Sequence, residues 1–85
     1  MTAYREKSLQ CVYLIREQGP LSPRKLRELT GNPLVSGLLQ KNYYRWFVRQ
    51  SRGIYALSQA GQQALDTYAE VVSTFKVLSS SQINS

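Results

Sequence analysis

The chain has no histidine, a single cysteine, three prolines and only five acidic residues among its 85. Without histidine there is no imidazole for acid–base work and no Cys/His spacing of a zinc finger, and the lone Cys11 excludes an intrachain disulfide. The five acids, Glu6, Glu17, Glu28, Asp66 and Glu70, are scattered over predicted helices, so no paired carboxylates and no metal-ligating cluster are expected. From these absences the chain is expected to lack catalytic residues, metal and cofactor, and not to be an enzyme. Long apolar runs are missing too. The longest near the N-terminus is the five residues from Cys11 to Ile15, too short for a signal-peptide core or a membrane span, which makes a cytoplasmic protein the expectation.

What is present is basic and aromatic. Eleven Lys and Arg give a net charge of +6, and 42% of residues are hydrophobic, with six Tyr, one Trp and two Phe. Between Ser22 and Gly53, seven basic residues (Arg24, Lys25, Arg27, Lys41, Arg45, Arg49 and Arg52) face one acid, Glu28, so this stretch holds the whole excess. Elsewhere Arg5, Lys7, Arg16 and Lys76 are balanced by four acids. A basic block between neutral flanks points to a polyanion-binding face rather than to general solubility.

The length allows one small domain, marginally stable alone and helped by pairing. Residues 1–78 are expected to form it, with 79–85 ("SQINS" and the two serines before it) as a polar disordered tail. The first predicted helix runs from Thr2 to Gln18. Turned by about 100° per residue, Tyr4, Cys11, Val12, Leu14 and Ile15 share one side and Leu9 and Tyr13 a second, so the helix is expected to be covered from two directions. Gly19 and Pro20 stop it.

In "LSPRKLRELTG" Ser22 is the expected cap and Pro23 the first helical residue, with Leu26 and Leu29 inward and Arg24, Lys25 and Arg27 outward. "NPLVSGLLQKN" repeats the device with Asn32 as cap and Pro33 as first residue, leaving only Gly31 and Asn32 between the helices. Such a tight helix, turn, helix is the core of the helix-turn-helix motif. Leu34, Val35, Leu38 and Leu39 form one face of the second helix, and Ser36 and Gln40 lie on the other.

From Tyr43 the helical period fails. "YYRWFVRQ" reads as a strand, "SRG" as a turn and "IYALS" as the returning strand of a hairpin. Ser58 caps a last helix predicted over Gln59–Leu78. Its seam of Ala64, Tyr68, Val71, Phe75 and Leu78, widened by Leu65 and Val72, suits a dimer interface.

The order of three helices, hairpin and helix, with "RGIYALSQAG" at the last junction, resembles the winged helix-turn-helix of many small bacterial transcription regulators. A "GxYxLTxxG" pattern closes the wing there, matched by Gly53, Tyr55, Leu57, Ser58 and Gly61. "GPLSPRKLRELTG" and "KNYYRWFVRQSRGIYALSQAG" are also similar to a winged-helix module appended to bacterial proteins with a nuclease-like domain, whose catalytic part has no counterpart here. The resemblance implies an α+β, mainly α fold and a transcriptional regulator binding double-stranded DNA with little sequence preference. It would act as a homodimer through Tyr68, Val71, Val72, Phe75 and Leu78.

On that reading Ser36 and Gln40, flanked by Asn32 and Lys41, meet base edges, while Arg24, Lys25, Arg27, Arg45, Arg49 and Arg52 meet phosphates. A second reading makes the same surface an assembly module for an acidic protein. Tyr43, Tyr44, Trp46 and Phe47, interleaved with Arg45 and Arg49, could instead stack single-stranded bases. Trp46 and Phe47 are better suited to seating the hairpin on the helices, and Tyr43 and Tyr44 are the less settled pair. Cys11, inside the apolar run, is expected in the core.

Overall fold

Tyr4, Ser8, Leu9, Cys11, Val12, Tyr13 and Ile15 leave α1 (Thr2–Gln18) apolar on more than one side, and a helix of that kind must be covered from several directions. In the computed structural model, which describes residues 2–75, that is its position: α2, β2 and α4 all contact it. Leu9, Cys11 and Val12 are fully buried. The N–H of Gly19 bonds the Ile15 carbonyl at 2.8 Å and ends the helix where expected.

α2 (Pro23–Thr30) starts as its sequence dictates, with the Ser22 hydroxyl accepting the Lys25 N–H at 3.1 Å and Pro23 in the first turn. Leu26 is fully buried, but Leu29 lies on the exposed side, contrary to its expected inward position.

α3 (Val35–Lys41) begins two residues later than predicted. Asn32 does not cap it. The Asn32 side-chain oxygen accepts the Leu34 N–H at 3.0 Å and its carbonyl accepts the Val35 N–H at 3.3 Å, forming a local turn that competes with the helix and leaves Pro33 and Leu34 outside it. Leu34 is therefore 68% exposed and leaves the apolar face to Val35, Leu38 and Leu39.

The first strand also starts late. Asn42 and Arg45 both adopt left-handed backbone, at φ 48° and 59°, and break the chain between α3 and β1 (Phe47–Ser51). The Asn42 side chain substitutes for a strand neighbour: its amide donates to the Phe47 carbonyl at 2.8 Å and its oxygen accepts the Phe47 N–H at 3.2 Å. β1 pairs antiparallel with β2 (Ile54–Leu57), in the register Phe47 with Leu57, Val48 with Ala56 and Arg49 with Tyr55, and an irregularity falls between Arg49 and Ser51. Gly53, at φ 73°, makes the turn that a side chain would strain. A further rung joins Leu21, in the α1–α2 connector, to Tyr55 through hydrogen bonds of 3.0 and 2.9 Å.

Ser58 closes the hairpin onto α4 (Gln59–Thr67). Its hydroxyl accepts the Gly61 N–H at 3.1 Å and donates to the Arg45 carbonyl at 2.6 Å, while its N–H bonds the Trp46 carbonyl at 2.9 Å. A Cβ on Gly61 would collide with that same Trp46 oxygen, so the close crossing of loop and helix requires glycine.

The last helix is not the single rod expected over Gln59–Leu78. At Tyr68 (φ −113°, ψ 35°) the N–H is shared between the Ala64 and Asp66 carbonyls, and helix resumes over residues 69–75. The ring of Tyr68 packs on Trp46 at 5.9 Å, and Phe75 meets Tyr13 of α1 at 6.2 Å. Leu78 and the predicted tail at 79–85 lie outside the described residues.

The arrangement is α+β, mainly α, with a two-stranded antiparallel hairpin, in winged-helix-like order. Among the described residues no helix is long and apolar enough to cross a membrane.

Two outcomes follow from the packing. Gly61→Ala is expected to cost about 1–3 kcal/mol, as over-packed sites do, read as a lower midpoint in urea unfolding with unchanged slope. Burial pushes the Cys11 thiol from 9.0 up to about 12. Above pH 9 the unfolded thiol ionises while the folded one keeps its proton, so this group's contribution to stability is complete below that pH and falls as pH rises toward 12. Comparing the alkaline loss of stability in the native chain and in Cys11→Ala isolates the effect, which is absent from the variant.

Candidate nucleic-acid interface

The cations of α2 and α3 come together around the 31–34 connector. Arg24 and Arg27 line a shallow cleft of about 400 Å³ with Glu28, Gly31 and Pro33. Asn32 and Lys41 line a second cleft, of about 390 Å³, with Tyr4, Lys7, Leu34, Gly37 and Leu38. Successive connector residues thus alternate between the two, Gly31 and Pro33 on one side and Asn32 and Leu34 on the other, which makes the connector the ridge between neighbouring clefts. Lys41 and Tyr4 continue into a third, smaller cleft of about 280 Å³ walled by Tyr43 and Tyr44.

The remaining predicted residues divide. Lys25 is exposed on α2 beside Arg24, and Gln40 is exposed on α3, with Ser36 half-buried, but none of the three lines a cleft described here. Arg49 and Arg52 are exposed on the hairpin, Arg49 opposite Tyr55 and Arg52 in the turn, away from these clefts. Arg45 is exposed at its left-handed corner, and its carbonyl is held by Ser58.

Tyr68, Val71, Val72 and Phe75, read as a dimer seam, pack against the core of their own chain, Val72 being buried and the others half-buried. The fifth residue of that seam, Leu78, lies outside the described residues.

Lys7 and Tyr4 were missed as site residues. A charge tally by sequence window put Lys7 in a neutral flank, although their three-residue spacing on α1 places both on one helical face.

Glu28 is the one acid of the basic block, and it lies 3.9 Å from both the Arg24 and Lys25 side chains. The groups are well exposed, so each pair contributes at most about 1 kcal/mol and both cations remain available to an outside anion. Among the described residues Tyr4 Oη and Arg5 Nε are buried without hydrogen-bond partners, and the Arg5 guanidinium lies 5.1 Å from the centre of the Tyr68 ring. Cys11 is fully buried and lines none of these clefts, as expected of a core thiol. Among the described residues no three His, Cys, Asp or Glu side chains converge to hold a metal ion.

A small mainly helical domain with a hairpin and a cationic helix pair is the class these features define. Residues 1–64 match the family "Putative PD-(D/E)XK phosphodiesterase (DUF2161)", about three quarters of the chain, and the chain belongs to that family. No curated protein and no solved structure matches it.

The family match overturns two expectations drawn from the sequence, that of a transcription regulator, with its assembly-module alternative, and that of a protein that is not an enzyme. Both rested on the missing catalytic constellations and on a fold that hosts many functions, and a fold does not decide function. The signature spelled out in the family's description is not found in these 85 residues: none of the three prolines precedes an aspartate, and no acid stands two residues before any lysine. The acids present therefore do not fit the metal-assisted chemistry that such a signature would support.

Glu28→Gln is expected to leave stability within about 0.5 kcal/mol, as for other exposed substitutions, while raising the salt concentration that elutes the protein from a phosphocellulose column. Elution at unchanged salt would mean that Arg24 and Lys25 do not face the bound polyanion.

Proposed function

We propose that the described residues form the substrate-gripping part of a phosphodiesterase that acts on nucleic acid, in which the cationic helix pair holds the sugar–phosphate backbone. The supporting observation is the pair of adjoining clefts on either side of the 31–34 connector, with Arg24 and Arg27 in one and Lys7 and Lys41 in the other. A nucleic acid presents a regular line of phosphates, and two neighbouring cationic clefts separated by one ridge suit successive contacts along such a line. Lys25 adds charge beside the first cleft, and Arg45, Arg49 and Arg52 are further exposed cations on the loop and hairpin, outside the clefts. Asn32, Ser36 and Gln40 are the polar groups near the duplex edge, and double-stranded DNA is a ligand of the right charge and repeat. The winged-helix-like order of elements supports the same reading, since such folds often present one helix and a hairpin to nucleic acid.

This role predicts electrostatic, salt-sensitive binding. If about four to six phosphates are neutralised, the slope of log affinity against log salt is near −4 to −5, and Arg24→Ala or Arg27→Ala each reduces its magnitude by about 1. Anisotropy titrations of a labelled oligonucleotide at several salt concentrations measure it. In a cleavage assay the same substitutions raise KM with kcat little changed, the mark of lost uniform binding. Affinity that is flat in salt would overturn the proposal.

A further inference from the structure

The smallest of these three clefts is the most aromatic. Its walls are three tyrosines and one lysine: Tyr4, Tyr43, Tyr44 and Lys41. Tyr44 is fixed from behind, stacked on the buried Trp46 ring at 4.5 Å and 17°. Tyr43 stands edge-on to it at 5.0 Å and edge-on to Tyr4 at 6.1 Å, and is 67% exposed. A ring exposed to that degree contributes little to the core, because most of its apolar area stays in water. Tyr4 completes the wall with its ring, its hydroxyl being buried and without a hydrogen-bond partner among the described residues. Among the described residues Lys41 forms no ion pair, and it borders both this cleft and the cationic one beside it.

We propose that this cleft takes one unpaired nucleobase, stacked on Tyr43, with Lys41 on the adjoining phosphate. The inference rests on the nucleic-acid reading above and makes its substrate more specific: a strand with at least one base out of the stack. Paired bases show a groove only their edges, whereas a cleft walled by rings offers a face, and stacking on a face requires a base free of its neighbours. The volume of about 280 Å³ has room for a single base. The continuity through Lys41 and Tyr4 into the Lys7 cleft gives the backbone a path onto the cationic surface.

The test compares three labelled DNA ligands by anisotropy: a single strand, the matching blunt duplex and the same duplex with one unpaired base. The expected order places the single strand and the bulged duplex above the blunt duplex. Tyr43→Ala weakens the first two by about 5- to 100-fold, equivalent to about 1–3 kcal/mol of lost stacking, and leaves the blunt duplex unchanged. Tyr43→Phe, which keeps the ring, binds all three as the native chain does. Tyr43 is too exposed for its removal to threaten the fold, and matching melting curves for the variants establish that. Equal binding of the native chain to all three ligands, or a Tyr43→Ala variant with native affinity for the single strand, overturns the pocket. If salt-sensitive binding dependent on Arg24 and Arg27 persists in that case, the wider proposal survives; if the native chain binds none of the three, both fall.

Discussion

One backbone carbonyl, that of Trp46, ties the second half of the molecule together. It accepts the Ser58 N–H at 2.9 Å and occupies the space that a side chain on Gly61 would need. The Trp46 ring meanwhile lies in the core with Tyr44 stacked on one side and Tyr68 edge-on at another. A single residue therefore fixes the base of the hairpin, the entry to α4 and the back wall of the tyrosine cleft. Ser58 reinforces the joint, because its hydroxyl spans the Arg45 carbonyl and the Gly61 N–H and satisfies two polar groups at one point. Its neighbours tolerate the left-handed Arg45 only because these bonds hold it there, since a non-glycine residue at positive φ stores strain that the surroundings must offset.

The cationic helices rest on the other half of the core. Leu26, Val35, Leu38 and Leu39 bury α2 and α3 against α1, and this anchoring brings Lys7 and Tyr4 of α1 into the same groove as Asn32 and Lys41 of the second pair. Charges that are distant in sequence become neighbours through apolar packing alone. Because few acids oppose them, their mutual repulsion is relieved chiefly by water and salt, and a polyanion relieves it more completely.

The fold was legible where a signal was local. Ser22 and Ser58 cap their helices as their sequence context indicates, Gly53 turns the hairpin, and the two-sided apolar pattern of α1 foretells a helix covered from several directions. Boundaries failed where a side chain offered the backbone a competing partner. Asn32 looks like a cap, but its oxygen reaches only Leu34 and makes a turn, while the Asn42 amide replaces a strand neighbour and delays β1. The apolar period misjudged Leu34 for the related reason that it presumes an unbroken helix, while Leu29 lies within α2 but on its exposed side. The continuous seam through Tyr68 concealed the shared hydrogen bond that interrupts the last helix. For the site, the basic block was plain, but its partition into clefts and the part played by α1 depend on contacts between elements. The enzymatic role was not legible in the residues, because the spacing named in the family's signature does not occur in this sequence; the pointer to it was the similarity of two stretches to a module appended to nuclease-like proteins.

The bridge between Leu21 and Tyr55 has a mechanical meaning. It clamps the hairpin halfway along its length to the connector that follows α1, and the irregularity between Arg49 and Ser51 lies just beyond the clamp. The ribbon is in effect a short lever with its fulcrum at Tyr55. Force applied at Arg52 bends the outermost residues first, and inward of the fulcrum the returning strand bears on α1.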